Sequence, residues 1–309
     1  MTLGEPVILG TRGSKLALVQ ANACAERLRK TGLEVEVRTI RTTSEHHPNV
    51  PLSVIDQRDV FTRQLDEALL AGEIDLAVHS AKDVPTEVPE GIVLAAITER
   101  HDPRDALVFD ADCDVDGLPE GAVVATSSLR RRAQLLHRRP DLRTVQIRGN
   151  IDTRVRKMRE GQADALVLAR AGLERLGLDV PHTVMPSETM LPAVSQGALA
   201  VATLEEHPLR ETIGETLDHG PSARAVRAER AMLNTLEGGC RVPVGALGEI
   251  VAGHRVWLRG VVVSTDGALL YRGEAVGEEP EEVGERLARD LLAQGAAVVL
   301  GEIREVRSR

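Results

Sequence analysis

Three groups of residues in this sequence have the types and spacing to do chemistry. The first surrounds a cysteine. In "LEGGCRVPVG", residues 236–245, two glycines lead into Cys240, and Arg241 and Pro243 follow it. The chain has only two other cysteines, and their surroundings differ. Cys24 falls on the apolar side of a predicted helix and reads as a core thiol. Cys113 sits in "DADCDVDG", where neighbouring aspartates oppose ionisation of its thiol. Cys240 lies on a Gly/Pro-punctuated turn beside a cation. There a thiol ionises more readily than its model value of about 8.5 implies. No histidine in this stretch offers a base, so a Cys–His protease site is not indicated. A covalent attachment point and a nucleophile are the two chemical readings, beside that of an ordinary loop thiol.

The second group is basic. Residues 130–159 hold Arg130, Arg131, Arg132, Arg138, Arg139, Arg143, Arg148, Arg154, Arg156, Lys157 and Arg159, against Asp141 and Asp152. Arg138, Arg139, Arg156 and Arg159 read as a solvated helix face. Arg130, Arg131, Arg148 and Arg154 fall where predicted strands run into predicted helices, as do Arg12 and Ser14 near the N-terminus. Open α/β sheets bind ligands outside the carboxyl ends of their strands. "ATSSLRRR" places hydroxyls and guanidinium groups at a helix start, where backbone N–H groups already favour anions. Guanidinium forks suit carboxylates and phosphates, so several together imply a ligand with several negative groups. The third group is Lys82 and Asp83 in "HSAKDVPTEVP". It reads either as a surface ion pair in a turn or, at a strand end facing the same side, as a catalytic carboxylate with its neighbour.

The elements that must position these residues are legible as patterns. "PVILG" is a short strand leading to a helix with Leu16, Val19, Ala23, Cys24 and Leu28 on one face and Gly32 as its stop. "EVEVRTI" and "IDLAVHS" read as strands and "FTRQLDEALLAG" as a helix. The pattern restarts with the strands "DALVF", "AVVATSS", "RTVQIRGN" and "ADALVLA" and the helices "LRRRAQLLHRR" and "IDTRVRKMREG". Repeated strand–loop–helix units imply α/β domains with mostly parallel sheets. From about residue 220 come the helix "SARAVRAERAMLNTLEGG", two strands around a Thr-Asp-Gly turn, and the helix "PEEVGERLARDLLAQG", a smaller α+β part. A chain of 309 residues suits two or three domains.

Composition narrows the function classes. Net charge is −9 and aromatic residues make up 1% of the chain, which argues against nucleic-acid binding and leaves little surface for stacking bases. No apolar run approaches the roughly 18 residues of a spanning helix, and the N-terminus does not read as a secretory signal. The expectation is a cytoplasmic protein with reduced cysteines.

Taken together, the chain resembles the hydroxymethylbilane synthase, or porphobilinogen deaminase, family. The resemblance rests on "TRGSKLALVQA", "DLAVHSAKDVP", "DPRDALV", "ATSSLRRRAQLLHRRPDL", "IRGNIDTRV", "AGLERLGL", "LPAVSQGALA", "AERAML" and "LEGGCRVPVG". These run in the family's order from about residue 10 to 245. The resemblance implies that Cys240 carries a dipyrromethane cofactor through a thioether. Four porphobilinogen molecules then condense head to tail with loss of ammonia, and water releases the linear tetrapyrrole. It also implies carboxylate-binding roles for Arg12, Ser14, Ser128, Arg130, Arg131, Arg148 and Arg154, since every pyrrole ring brings an acetate and a propionate. Lys82 and Arg175 match further binding positions. Asp83 matches the catalytic aspartate, whose carboxylate stabilises positive charge at the pyrrole nitrogen and helps proton transfer.

The fold implied is α/β, with two periplasmic-binding-protein-like domains joined by a double crossover and a small C-terminal α+β domain. Domain 1 is expected at 1–99 and 198–217, domain 2 at 100–197, and domain 3, with the Cys240 loop, at 218–309. The implied partners are porphobilinogen and the growing pyrrole chain, with no nucleic acid, membrane or metal, and the chain is expected to be a monomer. One stretch departs from the family. "LSVIDQRDVF" (52–61) lacks the glycines of a Gly/Lys-rich loop found there in many members, and Arg58 stands where a lysine is common. Two other classes remain: a non-catalytic α/β protein closing on a polycarboxylate, and a nucleic-acid binder using residues 130–159. Cys240 and Asp83 weigh against the first, since a pure binder needs neither, and the acidic balance weighs against the second.

Overall fold

The structure is a computed structural model that describes residues 6–41, 62–109, 113–236 and 242–308, with side chains to residue 302. Cys240 and the stretch 52–61 with Arg58 lie outside the described residues. The chain forms two compact units, residues 1–100 with 198–223 and residues 101–197 with 224–309.

The first unit begins with β1 (Val7–Arg12), α1 (Lys15–Arg29), β2 (Val35–Ile40), α2 (Arg63–Leu70), β3 (Leu76–Ser80) and β4 (Ile92–Ile97). The chain then supplies β5 (Asp105–Val108), β6 (Val123–Ala125), α3 (Leu129–Arg138), β7 (Arg143–Val145), α4 (Ile151–Lys157), β8 (Ala165–Ala169), α5 (Arg170–Leu176) and β9 (His182–Val184) to the second unit. It returns to the first for β10 (Leu199–Leu204) and α6 (Arg210–Leu217).

The two five-stranded sheets share one topology. The first has the order β2-β1-β3-β10-β4 and the second β7-β6-β8-β5-β9. In each, three neighbouring strands are parallel and the fourth is antiparallel to both its neighbours. That fourth strand is in each case the first laid down after the chain crosses between units. This is the double crossover expected of the two α/β domains. Helices cover both faces of each sheet, so the central strands are largely apolar on both sides, as in buried parallel sheets, while the edge strands β2 and β7 carry exposed polar residues. Along β3, Leu76 and Val78 join a core with α1 and α6, while Ala77 joins another with α2.

The buried face of α1 differs from expectation. It is formed by Gln20, Ala21, Cys24, Ala25 and Leu28, whereas Val19 is 36% exposed and Ala23 is exposed. Ala21 and Ala25 are small enough to let the helix settle closely on the sheet, and that contact decides its rotation. Cys24 is buried, as expected.

The C-terminal part of the second unit contains α7 (Gly220–Thr235), the antiparallel sheet β11 (Val244–Val251), β12 (Arg255–Val263) and β13 (Leu270–Gly277), then α8 (Pro280–Leu291) and α9 (Ala297–Ser308). Its core interleaves Met232 and Leu236 with Val256, Leu258, Leu287 and Leu291.

Candidate functional site

In the first unit the predicted residues gather at the carboxyl ends of two neighbouring parallel strands. Arg12 is the last residue of β1, and Ser14 caps α1, its hydroxyl accepting a hydrogen bond from the Ala17 N–H at 3.2 Å. A serine in this position satisfies one of the free donors of the first helical turn. Beside β1, strand β3 runs into a single 3₁₀ turn, Ala81–Asp83, which presents Lys82 and Asp83, both half-buried. The Gln20 side-chain amide donates to Ser80 Oγ at 3.0 Å, tying α1 to the end of β3. His79, one residue before the turn's cap, is buried. Desolvation, and secondarily the charge of Arg12, lower its pKa to about 4.

The second unit repeats the arrangement. Ser128 caps α3 and accepts from the Arg131 N–H at 3.4 Å. Arg148 follows β7 and is half-buried. Arg154 on α4 donates through Nε to the Gly149 carbonyl at 2.7 Å, and Arg175 on α5 donates to the Gly197 carbonyl at 2.6 Å. These groups all follow β6, β7 and β8, the three parallel strands of the sheet. Cys240 is the one predicted site residue outside the described residues.

Arg130 and Arg131 stand apart from the rest. They are only 4% and 7% exposed and share a partner that the sequence reading gave no role, Asp105. Its Oδ2 accepts from Arg130 Nη1 at 2.7 Å, and its Oδ1 accepts from Arg131 Nη2 at 2.8 Å. Burial alone would raise the Asp105 carboxyl. The charges of Arg130 and Arg131 and their hydrogen bonds outweigh it and hold the group well below the usual carboxylate range. Burial works against the charge of Arg130, and Asp105 supports it while Arg131 opposes it. Two cations therefore share one anion. Among the described residues the buried Arg130 Nε has no hydrogen-bond partner. The signal for Asp105 was present in "DPRDALV", as the second of two aspartates, placed at the head of an apolar strand.

Arg139, expected on a solvated face, instead organises a loop. Its guanidinium donates to the carbonyls of Val115, Asp116 and Leu118 and pairs with Asp141. Arg138 pairs with Asp116 and Arg156 with Glu160, both exposed. Among the described residues no group of three or more His, Cys, Asp or Glu side chains is placed to hold a metal ion. Among them, too, no helix is long and apolar enough to cross a membrane.

A search of family models matches residues 7–211 to "Porphobilinogen deaminase, dipyromethane cofactor binding domain" and residues 223–293 to "Porphobilinogen deaminase, C-terminal domain". A porphobilinogen deaminase of Rubrobacter xylanophilus is 68% identical over 97% of this chain and 98% of its own length. Proteins of the same name from Geobacter sulfurreducens and Desulforudis audaxviator are 47% and 48% identical over 96% of the chain, covering 94% and 98% of theirs. Among solved structures, the methionine binding protein MetQ is 16% identical, with a TM-score of 0.44 over 68% of this chain and 89% of its own. Two family models that between them cover nearly the whole chain, and full-length relatives at this identity, make the chain a member of the porphobilinogen deaminase family.

Proposed function

We propose that the protein is a transferase that joins four porphobilinogen molecules head to tail, losing ammonia at each step, and releases the linear tetrapyrrole hydroxymethylbilane by hydrolysis. The observation that carries this reading is the surplus positive charge at the start of α3. Among the described residues Asp105 is the carboxylate that pairs with both guanidinium groups, so it neutralises one of the two. Such a site fits a ligand carboxylate, and a pyrrole chain carries two per ring.

Dipyrromethane, when bound, supplies the primer to which the new units are joined. The Cys240 sulfur holds it as a thioether. Ser128, Arg130, Arg131, Arg148 and Lys82 hold its carboxylates. Arg12, Ser14, Arg154 and Arg175 take the carboxylates of incoming substrate. A charge-assisted hydrogen bond contributes roughly 1.5–3 kcal/mol, so a few such contacts fix a ring's position. The ends of the parallel strands in both units supply these donors, where helix starts add their own N–H groups. The Asp83 carboxylate sits on a short turn directly after a buried strand. That mounting gives it little freedom to move, and so suits it to stabilising charge at the pyrrole nitrogen and moving a proton there. In the same reading the chain has three domains, 1–99 with 198–217, 100–197 and 218–309, the last carrying Cys240. It acts as a monomer in the cytoplasm.

Intact mass spectrometry of the purified full chain tests the reading. The expected result is a mass surplus of two linked pyrrole units, mapped to a peptide containing Cys240 and missing from Cys240→Ser. A protein without that surplus that still consumes porphobilinogen would overturn it.

A further inference from the structure

Arg130 and Arg131 are consecutive on α3. Neighbouring positions on a helix point about 100° apart, so the helix itself does not aim the two guanidinium groups at one place. Asp105 does. Its side chain is fully buried, and its two oxygens divide the work. Oδ2 takes Arg130 Nη1. Oδ1 takes Arg131 Nη2, Arg131 Nε at 3.2 Å and the Gln196 side-chain amide at 2.7 Å. The same Gln196 nitrogen donates to the Pro103 carbonyl at 2.8 Å, so the carboxylate is itself held. Backbone carbonyls finish the cage, Leu191 O accepting from Arg130 and Val167 O from Arg131.

We propose that Asp105 is the positioning residue of this arginine pair. It pins both guanidinium groups at the start of α3, and its single charge leaves the pair one positive charge with which to engage a carboxylate of the pyrrole chain. The inference rests on the proposed carboxylate-binding role of Arg130 and Arg131. Its physical basis is that a buried guanidinium without a counter-charge is strongly disfavoured and moves toward water. Removing Asp105 therefore dismantles the geometry of the pair as well as its charge. A longer acid keeps the charge but must fit an extra methylene into a packed interior, so it returns the charge without the placement.

The test uses the full chain with Asp105→Asn, Asp105→Glu, Arg130→Gln and Arg131→Gln. The readouts are the fraction carrying the two-pyrrole mass, the thermal melting transition, and KM and kcat for porphobilinogen. Asp105→Asn is expected to lose cofactor loading at least tenfold among the molecules that remain folded. Asp105→Glu is expected to regain much of the loading, with KM raised several-fold and kcat within about twofold of the parent. Lowered melting with unchanged loading and KM would show a structural role alone and overturn the proposal. Should Asp105→Asn yield no folded protein, Asp105→Glu decides: loading and KM equal to the parent overturn the proposal. Parental loading and turnover in both arginine variants would instead sink the carboxylate-binding reading. Defects in the arginine variants with none in the Asp105 variants would sink only the positioning role.

Discussion

Burial first, and then the charge of Arg12 at the end of the neighbouring parallel strand β1, keep the imidazole of His79 in β3 neutral. A void of about 10 Å³ lies against His79, lined also by Thr62, Asp66 and Glu87. An unfolded histidine takes up its proton near 6.5 and the folded one near 4. Between those values the unfolded chain holds more protons, so stability falls as pH is lowered from 6.5 toward 4. The shift corresponds to up to about 3 kcal/mol. His79→Gln should therefore show a shallower loss between pH 7.5 and 4.5 than the parent when urea midpoints are compared. Parallel curves for the two proteins would remove His79 as the source.

Asp83 leads directly from the same strand. Asp83→Ala should lower turnover by on the order of 10²–10⁴, the range for a positioned acid or base. Because the residue is half-buried on a short turn, the melting transition should move by no more than a few degrees. Single-turnover rates on holoenzyme separate the two effects. A variant turning over near the parental rate would take Asp83 out of the reaction.

Gly267 illustrates a constraint within the second unit. It sits at φ +79° in the turn between β12 and β13. A Cβ built there would fall 2.4 Å from the His137 backbone nitrogen and 2.7 Å from the Leu136 carbonyl carbon. The Gly267 carbonyl also lies 2.8 Å from His137 Nδ1. The turn thus packs against the last part of α3, the helix that begins with Arg130 and Arg131. Gly267→Val combines an unfavourable φ, about 1–3 kcal/mol, with a backbone overlap that side-chain movement does not relieve. It should lower the melting temperature by several degrees, which differential scanning calorimetry would register. An unchanged melting temperature would mean that the turn is not held against α3.

Much of this molecule was legible from the chain because its signals are local. Ser14 and Ser128 announce helix starts, and both cap. The alternation of strands and helices around them reads directly, and the arginines fall at the strand ends that such junctions define. Other features had no local signal. Nothing in "GALAVATL" says that β10 enters the first sheet antiparallel between β3 and β4. The rotation of α1 depended on where alanines could approach a sheet, and Arg139 found its carbonyl partners in a loop more than twenty residues earlier.

Residue order was enough to establish the family and the α/β class and to single out the groups expected to bind carboxylates, because each depends on side-chain type and on neighbours a few positions away. Only the folded chain revealed which charges meet. Asp105 lies 25 residues before Arg130, 26 before Arg131 and 91 before Gln196. Contacts over such separations are decided by the sheet order that brings β5 beside β8, and by the cost of burying a charge without a partner.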